Sequence, residues 1–225
     1  SSLPETLPPN IEGLHFHVLC ESSAAALVQV LENFEKKFKK YLPNIKWLNM
    51  GGGHLITKEG YDVELLVNTL KYFKEKYQIE IILEPGGAVA WQTGFLKTTI
   101  IDIVENQGSP TAIMDASFTC HMPDCLEMPY RPEIMEGSHH AKKYPFRYNI
   151  GGVSCLAGDF LADYSFSKPL KIGDTLTFQD MMHYTMVKTT MFNGIDHPSI
   201  GVIGADHRFE LLKTFTYQDY RDKLS

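Results

Sequence analysis

The sequence predicts an α/β segment followed by an antiparallel β domain. Through about residue 90, apolar residues alternate between the spacing of strands and the spacing of helices. Beyond Trp91 the helical period fades, and short segments rich in β-branched and aromatic residues are separated by turn signals. Strands that alternate with helices pair in parallel, because a parallel return needs a crossover connection.

Three strand-helix units make up the first part. The predicted strands are 13–20 (GLHFHVLC), 44–50 (NIKWLNM) and 79–83 (IEIIL). Helical spacing of apolar residues predicts a helix after the first strand, with Leu27, Leu31, Phe34 and Phe38 on one face. A second helix begins after Asp62, a suitable N-cap, and its apolar face is Val63, Leu66, Leu70, Phe73 and Tyr77.

The second part contains six segments with strand-like composition. They are 95–106 (FLKTTIIDIVEN), 111–118 (TAIMDASF), 147–155 (RYNIGGVSC), 174–181 (DTLTFQDM), 185–192 (TMVKTTMF) and 209–217 (FELLKTFTY). Three strand-helix units in the first part are too few to close a (β/α)8 barrel, which takes eight units and about 250 residues. An open three-stranded parallel sheet would also leave both edges unpaired. Either the three units pack onto the β domain, or further units lie upstream of this chain.

Composition excludes several classes of function. A net charge of -6, with lysines interleaved among glutamates, is unlike a nucleic-acid-binding surface. No apolar run approaches the roughly 20 residues that span a bilayer, so we expect no membrane partner. Four scattered cysteines among 225 residues favour a reducing, cytoplasmic location.

A short segment with two cysteines, a histidine and an aspartate could indicate a zinc site. Cys120, His121, Asp124 and Cys125 are close in sequence, but a second ligand pair at finger-like spacing is missing. We therefore expect no metal cofactor.

The ends of the three parallel strands are predicted to lie on one face, the face at which such folds bind ligands. They carry His17, Gly51 to Gly53 and Glu84. Three glycines expose backbone N–H groups to an anion such as phosphate, and Glu84 suits a protonated ring nitrogen beside it. Structural roles remain open for each: a flexible turn for the glycines, a strand-end imidazole for His17 and an ion pair for Glu84.

Six segments in series carry a resemblance to a known family. They are GLHFHVLCE, LNMGGGH, LEPGGAVAWQTG, HMPD, GGVSCLAGDFL and DMMHYTMVKTTMFNG. In this order they resemble the carboxynorspermidine/carboxyspermidine decarboxylases, members of the alanine racemase-like, fold III group of pyridoxal phosphate enzymes. The resemblance implies that residues 1–92 are the C-terminal strands and helices of a (β/α)8 barrel that binds the cofactor, and that residues 93–225 are a C-terminal β domain.

The resemblance also implies roles for individual residues at the cofactor. His17 stacks on the pyridine ring, Gly51, Gly52 and Gly53 hold the phosphate, and Glu84 pairs with the ring nitrogen. Gly86 is a further cofactor-binding residue, and Tyr184 contacts the phosphate. Glu84 and His17 are therefore expected to act in catalysis as well as in binding.

Other implied roles concern catalysis and substrate. Cys155 matches a catalytic cysteine that reaches the active site across a homodimer interface. Asp124 matches the acid that binds a substrate amine from the neighbouring subunit, and His121 and Asp159 are the accompanying substrate-binding residues. Cys155 alone would also fit a small buried apolar residue.

Two departures from the family pattern have consequences. Many members of the wider group have an arginine after Pro-Gly that binds the phosphate, and Gly87 stands there instead. The lysine that forms a Schiff base belongs on the first barrel strand, and neither Lys46, Lys97 nor Lys188 fits that role. The resemblance thus implies an N-terminal segment of the same enzyme, outside this chain, that carries the lysine.

The implied function is pyridoxal 5'-phosphate-dependent decarboxylation of carboxynorspermidine or carboxyspermidine, in the synthesis of norspermidine or spermidine. The enzyme would be a carboxy-lyase that acts on a small cationic polyamine. Three alternatives remain: a fold III amino acid decarboxylase or racemase with another substrate, a non-catalytic homologue acting as a partner subunit, and a zinc-stabilised binding module.

Overall fold

A computed structural model describes residues 4–105, 108, 110–128 and 130–225. The chain forms two compact units, Ser1–Trp91 and Gln92–Ser225. Among the described residues, no helix combines the length and the apolar composition needed to cross a membrane.

Parallel strands and helices alternate in the first unit. Its elements in chain order are β1 (Gly13–His15), α1 (Ala24–Phe38), a 3₁₀ turn (Leu42–Asn44), β2 (Trp47–Asn49), α2 (Val63–Tyr77), β3 (Glu80–Ile82) and α3 (Gly86–Val89). The strands pair in the order β1-β2-β3, with His15 opposite Asn49 and Asn49 opposite Ile82. The strands are shorter than the sequence predicts, so His17 and Glu84 both lie two residues past a strand end.

Local capping and apolar spacing explain the two long helices. The Ser23 side chain caps α1 by accepting a hydrogen bond from the Ala26 N–H, and Asp62 caps α2 in the same way from the Leu65 N–H at 2.8 Å. The predicted Asp62 cap is thus confirmed. One face of each helix is buried against the sheet, through Leu27, Leu31 and Phe34 on α1 and through Leu66 and Phe73 on α2. Val63, predicted on the apolar face, is exposed instead.

The second unit is built mostly of strands. Its strands are β4 (Phe95–Val104), β5 (Thr111–Met114), β6 (Gly137–Ser138), β7 (Phe146–Gly151), β8 (Phe160–Phe166), β9 (Thr175–Gln179), β10 (Ile200–Ile203) and β11 (Phe209–Lys213). Its helices are α4 (Phe118–His121), α5 (Asp124–Glu127), α6 (Tyr184–Val187) and α7 (Tyr217–Leu224). Six strands form one sheet in the order β6-β8-β7-β5-β4-β9, and β10 and β11 form a separate hairpin.

Two features of this unit correct the sequence prediction. The six-stranded sheet is mixed, because β5 and β7 pair in parallel while the other neighbours are antiparallel. The segment 185–192, predicted as a strand, instead contributes most of the short helix α6 and enters a 3₁₀ turn at Phe192–Gly194. Asn106, the last residue of the first predicted strand, lies outside the described residues.

Interlocking aromatic and aliphatic side chains form the core of the second unit. Phe118 packs edge-on against Phe178 at a ring separation of 5.8 Å, and both rings are fully buried. Tyr164 is also fully buried, and its hydroxyl donates a hydrogen bond to the Pro132 carbonyl. Because Phe118 begins α4, this packing fixes the short helices next to the sheet.

Candidate active site

The ends of β1, β2 and β3 meet at one edge of the first unit, and the ladder continues past them. The Phe16 N–H donates to the Asn49 carbonyl, and the Glu84 N–H donates to the Gly51 carbonyl at 2.9 Å. His17, Gly51 and Glu84 therefore follow the three strands at matching positions, as the parallel pairing predicts. We call His15, His17, Asn49, Glu84 and the loop Gly51 to Gly53 the strand-end site.

Asn49 holds the Glu84 carboxylate, and two histidines of this site lie near it. Asn49 Nδ2 donates a hydrogen bond to Glu84 Oε1 at 2.7 Å. On the other oxygen, His15 Nε2 lies 3.7 Å and His17 Nδ1 lies 3.6 Å from Glu84 Oε2. The hydrogen bond from Asn49 is the main reason that the pKa of Glu84 lies below its ordinary value, and His15 and His17 add to this shift.

Asn49 also connects Glu84 to the glycine loop. Its side-chain oxygen accepts a hydrogen bond from the Gly51 N–H at 2.8 Å, while its amide nitrogen serves Glu84. Both ends of the Asn49 amide are therefore used, which defines its orientation. The carboxylate and the loop are positioned by one side chain.

The glycine loop leaves no room for side chains. A Cβ on Gly52 would lie 2.5 Å from the Glu84 carbonyl oxygen and 3.2 Å from His17 Cε1. Gly51 adopts a φ of +71°, a conformation that other residues rarely adopt. The Gly52 N–H donates to His17 Nδ1 at 3.4 Å, which is long for a hydrogen bond. The Gly52 N–H can therefore exchange this partner for an anion at little cost.

The strand-end site fits the pyridoxal phosphate that the resemblance implies. A half-exposed carboxylate with a lowered pKa suits a cationic ring nitrogen, and a half-exposed imidazole offers a flat face. The loop has no side chains to keep an anion from its backbone, and its Gly52 N–H makes only a long hydrogen bond. His15 and Asn49 were missed by the sequence reasoning. The spacing of two between His15 and His17 was a usable signal, because alternate residues of an extended segment share one side.

Gly86 and Gly87 are not crowded. The Gly86 N–H donates to the Glu84 carbonyl at 2.8 Å, and no atom lies within 4 Å of a Cβ built on Gly86. On Gly87 the nearest atom would be Leu55 Cδ2 at 3.9 Å. The absence of an arginine at position 87 is therefore not imposed by packing within this unit.

In the second unit, Asp159 organises the loop that carries Cys155. The Asp159 side chain is buried and accepts hydrogen bonds from the Ser117 hydroxyl, the Thr119 N–H and the Ser154 N–H at 2.9 to 3.0 Å. Cys155 follows Ser154 directly and is exposed as a free thiol. Asp159 thus holds the backbone beside Cys155, while its predicted contact with substrate stays a prediction.

His121 belongs to the same network. Its Nδ1 accepts a hydrogen bond from the Ser117 N–H at 3.2 Å, so His121 and Asp159 are linked through Ser117. Burial is the main cause that lowers the pKa of His121 to about 4, with His197 as the next cause. The imidazole is therefore neutral at neutral pH.

Asp124 has a cationic partner of its own. Lys188 forms ion pairs with Asp124 and, at 2.9 Å, with Glu127. These two carboxylates raise the pKa of Lys188. Tyr184, the predicted phosphate contact, is the exposed first residue of α6. The roles predicted for Asp124 and Tyr184 stay predictions.

A family model and two similar proteins of known name point to the same family. The family described as pyridoxal-dependent decarboxylase, C-terminal sheet domain, matches residues 21–182. The chain is 52% identical to carboxyaminopropylagmatine decarboxylase of a Synechocystis species, over 99% of this chain and 57% of that protein. It is 46% identical to carboxynorspermidine/carboxyspermidine decarboxylase of Campylobacter jejuni, over 93% of this chain and 57% of that protein.

A solved structure agrees with these relatives. The crystal structure of carboxynorspermidine decarboxylase from Campylobacter jejuni, complexed with norspermidine, superposes on this chain with a TM-score of 0.85. The two sequences are 45% identical, and the match covers 97% of this chain and 62% of that one. The chain thus spans little more than half the length of its relatives. The predicted fold, the C-terminal part of a (β/α)8 barrel followed by a β domain, is confirmed. The chain belongs to the pyridoxal-dependent decarboxylase family and contains its C-terminal sheet domain.

Proposed function

We propose that this protein decarboxylates a carboxylated polyamine, carboxynorspermidine or carboxyspermidine, with pyridoxal 5'-phosphate as cofactor, in polyamine biosynthesis. The proposal is supported most directly by Glu84, whose carboxylate Asn49 holds beside a glycine loop that admits no side chain. The names of the relatives support the same chemistry.

The strand-end site would hold the cofactor through three kinds of contact. Glu84 would accept a hydrogen bond from the ring nitrogen, His17 would lie against the ring, and Gly51 to Gly53 would bind the phosphate; Gly86 and Tyr184 are the additional contacts. The bound cofactor supplies an electron sink for the carbon that loses carbon dioxide. Glu84 keeps a proton on the ring nitrogen, because its lowered pKa makes it a stable anion.

Cys155 would act after carbon dioxide has left, by giving a proton to the substrate carbon. Its thiol is exposed in this chain, and Asp159 and Ser117 hold the loop behind it. We propose that Asp159 and His121 affect substrate binding through the position of this loop. In the proposed homodimer the thiol would serve the active site of the other subunit.

Asp124 would bind an ammonium group of the substrate. In this chain its carboxylate already has Lys188 as a partner, so a substrate amine would share or displace that contact. The net charge of -6 favours a cationic substrate.

The identity of the polyamine has a second candidate. At 52% identity, the Synechocystis relative is named for carboxyaminopropylagmatine, and agmatine ends in a guanidinium. A planar guanidinium and a compact ammonium need different hydrogen-bond acceptors. A panel of these substrates, with the products identified by mass spectrometry, would separate the two candidates.

The proposal extends to the rest of the protein. An N-terminal segment outside this chain would carry the lysine that bonds to the cofactor, in keeping with the 57% coverage of the relatives. A cytoplasmic setting accords with four cysteines that are all free thiols.

The decisive experiment is decarboxylation by the purified protein supplied with cofactor. Glu84→Gln should lower turnover by about 100-fold, the lower end of what losing one preorganised electrostatic contact costs. Glu80→Gln is the matched control, because Glu80 is an exposed carboxylate at the other end of β3. Normal turnover in Glu84→Gln would refute the role of Glu84. A product with the carboxylate retained would point to a racemase, and cofactor binding without turnover would point to a non-catalytic partner subunit.

A further inference from the structure

Three side chains of the strand-end site have potential metal-binding atoms close to one another. His15 Nε2 lies 3.7 Å and His17 Nδ1 lies 3.6 Å from Glu84 Oε2, and all three atoms lie within 4.8 Å of one another. Ligands at about 2.0–2.1 Å from a tetrahedral zinc ion are about 3.3 Å apart. A small inward movement would therefore complete a three-ligand site.

We propose that His15, His17 and Glu84 bind a divalent transition metal such as Zn²⁺, and that this metal and pyridoxal phosphate exclude each other. Among the described residues, no other group of three or more such side chains brings its ligand atoms this close. Cys120, His121, Asp124 and Cys125, the zinc cluster considered from the sequence, do not form such a group.

The ligand set suits this class of metal. Two imidazole nitrogens and one carboxylate oxygen hold zinc in sites that keep a fourth position for water. The three side chains are each about half exposed, at 48%, 52% and 45%, so water can occupy that position. Asn49 donates its hydrogen bond to Glu84 Oε1 and leaves Oε2 for the metal. Outer-shell partners orient metal-binding carboxylates in this way.

Metal binding would change the glycine loop. His17 Nδ1 accepts the Gly52 N–H at 3.4 Å, and a lone pair given to a metal is lost to that hydrogen bond. The Gly52 amide would then lose its partner, so its NMR resonance is a local reporter of metal at His17.

The exclusion of the cofactor rests on the function proposed above. Glu84 and His17 are the side chains proposed to contact the pyridine ring, and the metal would occupy the same carboxylate and the same imidazole. His15 distinguishes the two ligands, because it is needed for the metal site and has no proposed contact with the cofactor. Free zinc would thus delay loading of the cofactor.

The test is calorimetric titration of Zn²⁺ into the purified protein after its cofactor has been removed. We expect one zinc ion per chain. His15→Ala should weaken binding by at least about tenfold, because even an outer-shell partner is worth about 10- to 100-fold in affinity. The control is His207→Asn: His207 is an exposed histidine outside the site, and its φ of +60° suits asparagine. Equal affinities for wild type and His15→Ala would overturn the proposal.

A second arm adds pyridoxal phosphate before the zinc. Cofactor loading, followed by visible absorbance, should abolish zinc binding at this site. Zinc that stays bound beside a loaded cofactor would overturn the exclusion and leave the proposed function intact. A protein that binds zinc through His15 but never binds the cofactor would overturn the exclusion and the proposed function together.

Discussion

Asn49 donates a hydrogen bond to Glu84 across two neighbouring parallel strands, with 2.7 Å between Asn49 Nδ2 and Glu84 Oε1. The same asparagine accepts a hydrogen bond from the Gly51 N–H. It therefore couples the residue proposed for the ring nitrogen with the loop proposed for the phosphate.

Replacing Asn49 should shift the pH dependence of activity. In Asn49→Ala, Glu84 loses the largest cause of its lowered pKa, so protonation of Glu84 begins at higher pH. The acid limb of kcat/KM should move upward, and cofactor affinity should fall by about tenfold, the scale of one hydrogen bond to a charged group. Asn33→Ala, which removes an exposed asparagine on α1, should change neither; an unmoved acid limb in Asn49→Ala would contradict the assigned role.

Alanine at Gly52 should disrupt the site, whereas alanine at Gly87 should not. The new methyl group in Gly52→Ala meets the Glu84 carbonyl at 2.5 Å, so we expect a loss of about 1–3 kcal/mol in the free energy of unfolding and weak cofactor binding. Gly87→Ala meets only Leu55 at 3.9 Å and should stabilise α3 by about 0.5–1 kcal/mol. Urea denaturation and cofactor titration measure both; equal effects in the two variants would refute the crowding at Gly52.

Asp159→Asn should loosen the loop that carries Cys155. An amide in place of one carboxylate oxygen turns an NH₂ group toward a donor, and an unsatisfied buried donor costs about 1–3 kcal/mol. The variant should unfold at lower denaturant, and Cys155 should react faster with a thiol reagent in a protein whose Cys20 has been replaced by serine. Asp163→Asn is the control, because Asp163 is a partly exposed acid with a φ of +63° that suits asparagine. Unchanged thiol reactivity would show that Asp159 does not position the loop.

Acid should destabilise the second unit through His121. The pKa of His121 is about 4 in the folded protein and near 6.5 when unfolded, so the folded state binds fewer protons between these values. The contribution of neutral His121 to the free energy of unfolding is fully present above pH 6.5 and is lost as pH falls toward 4. The loss is about 1 kcal/mol between pH 6.5 and 5.5. His54, whose pKa is also lowered by burial, lies in the first unit and adds a loss of the same sign there.

His121→Asn isolates the contribution of His121. Asparagine retains an acceptor for the Ser117 N–H but does not titrate, so the free energy of unfolding should depend less steeply on pH in this window. Chemical denaturation at a series of pH values measures the slope. A slope equal to that of the wild type would show that His121 takes up its proton without loss of stability.

Lys188 should compete with substrate for Asp124. Removing the positive charge in Lys188→Gln frees both Asp124 and Glu127, so KM for a cationic substrate should fall a few-fold while kcat changes little. Lys171→Gln removes an exposed lysine elsewhere and serves as the control. An increase of KM in Lys188→Gln would mean that Asp124 needs Lys188 to bind substrate, and would refute the competition.

Local signals were sufficient for part of this fold. Asp62 at the start of α2 was predicted because an N-cap needs only its own helix. The convergence of His17, Gly51 and Glu84 was predicted because parallel pairing brings strand ends together. The segment 185–192 was wrongly predicted as a strand, because β-branched residues indicate strands only until tertiary contacts override them.

The sequence by itself determined that His17, Gly51 to Gly53 and Glu84 follow the three parallel strands, and its motifs indicated the family. Tertiary structure alone decided which atoms bind one another. Asn49 and Glu84 are 35 positions apart, and Ser117 and Asp159 are 42 apart, so no local pattern could indicate these hydrogen bonds. Their partners are chosen by burial and register, since a polar group removed from water must find whichever partner the folded chain brings within reach.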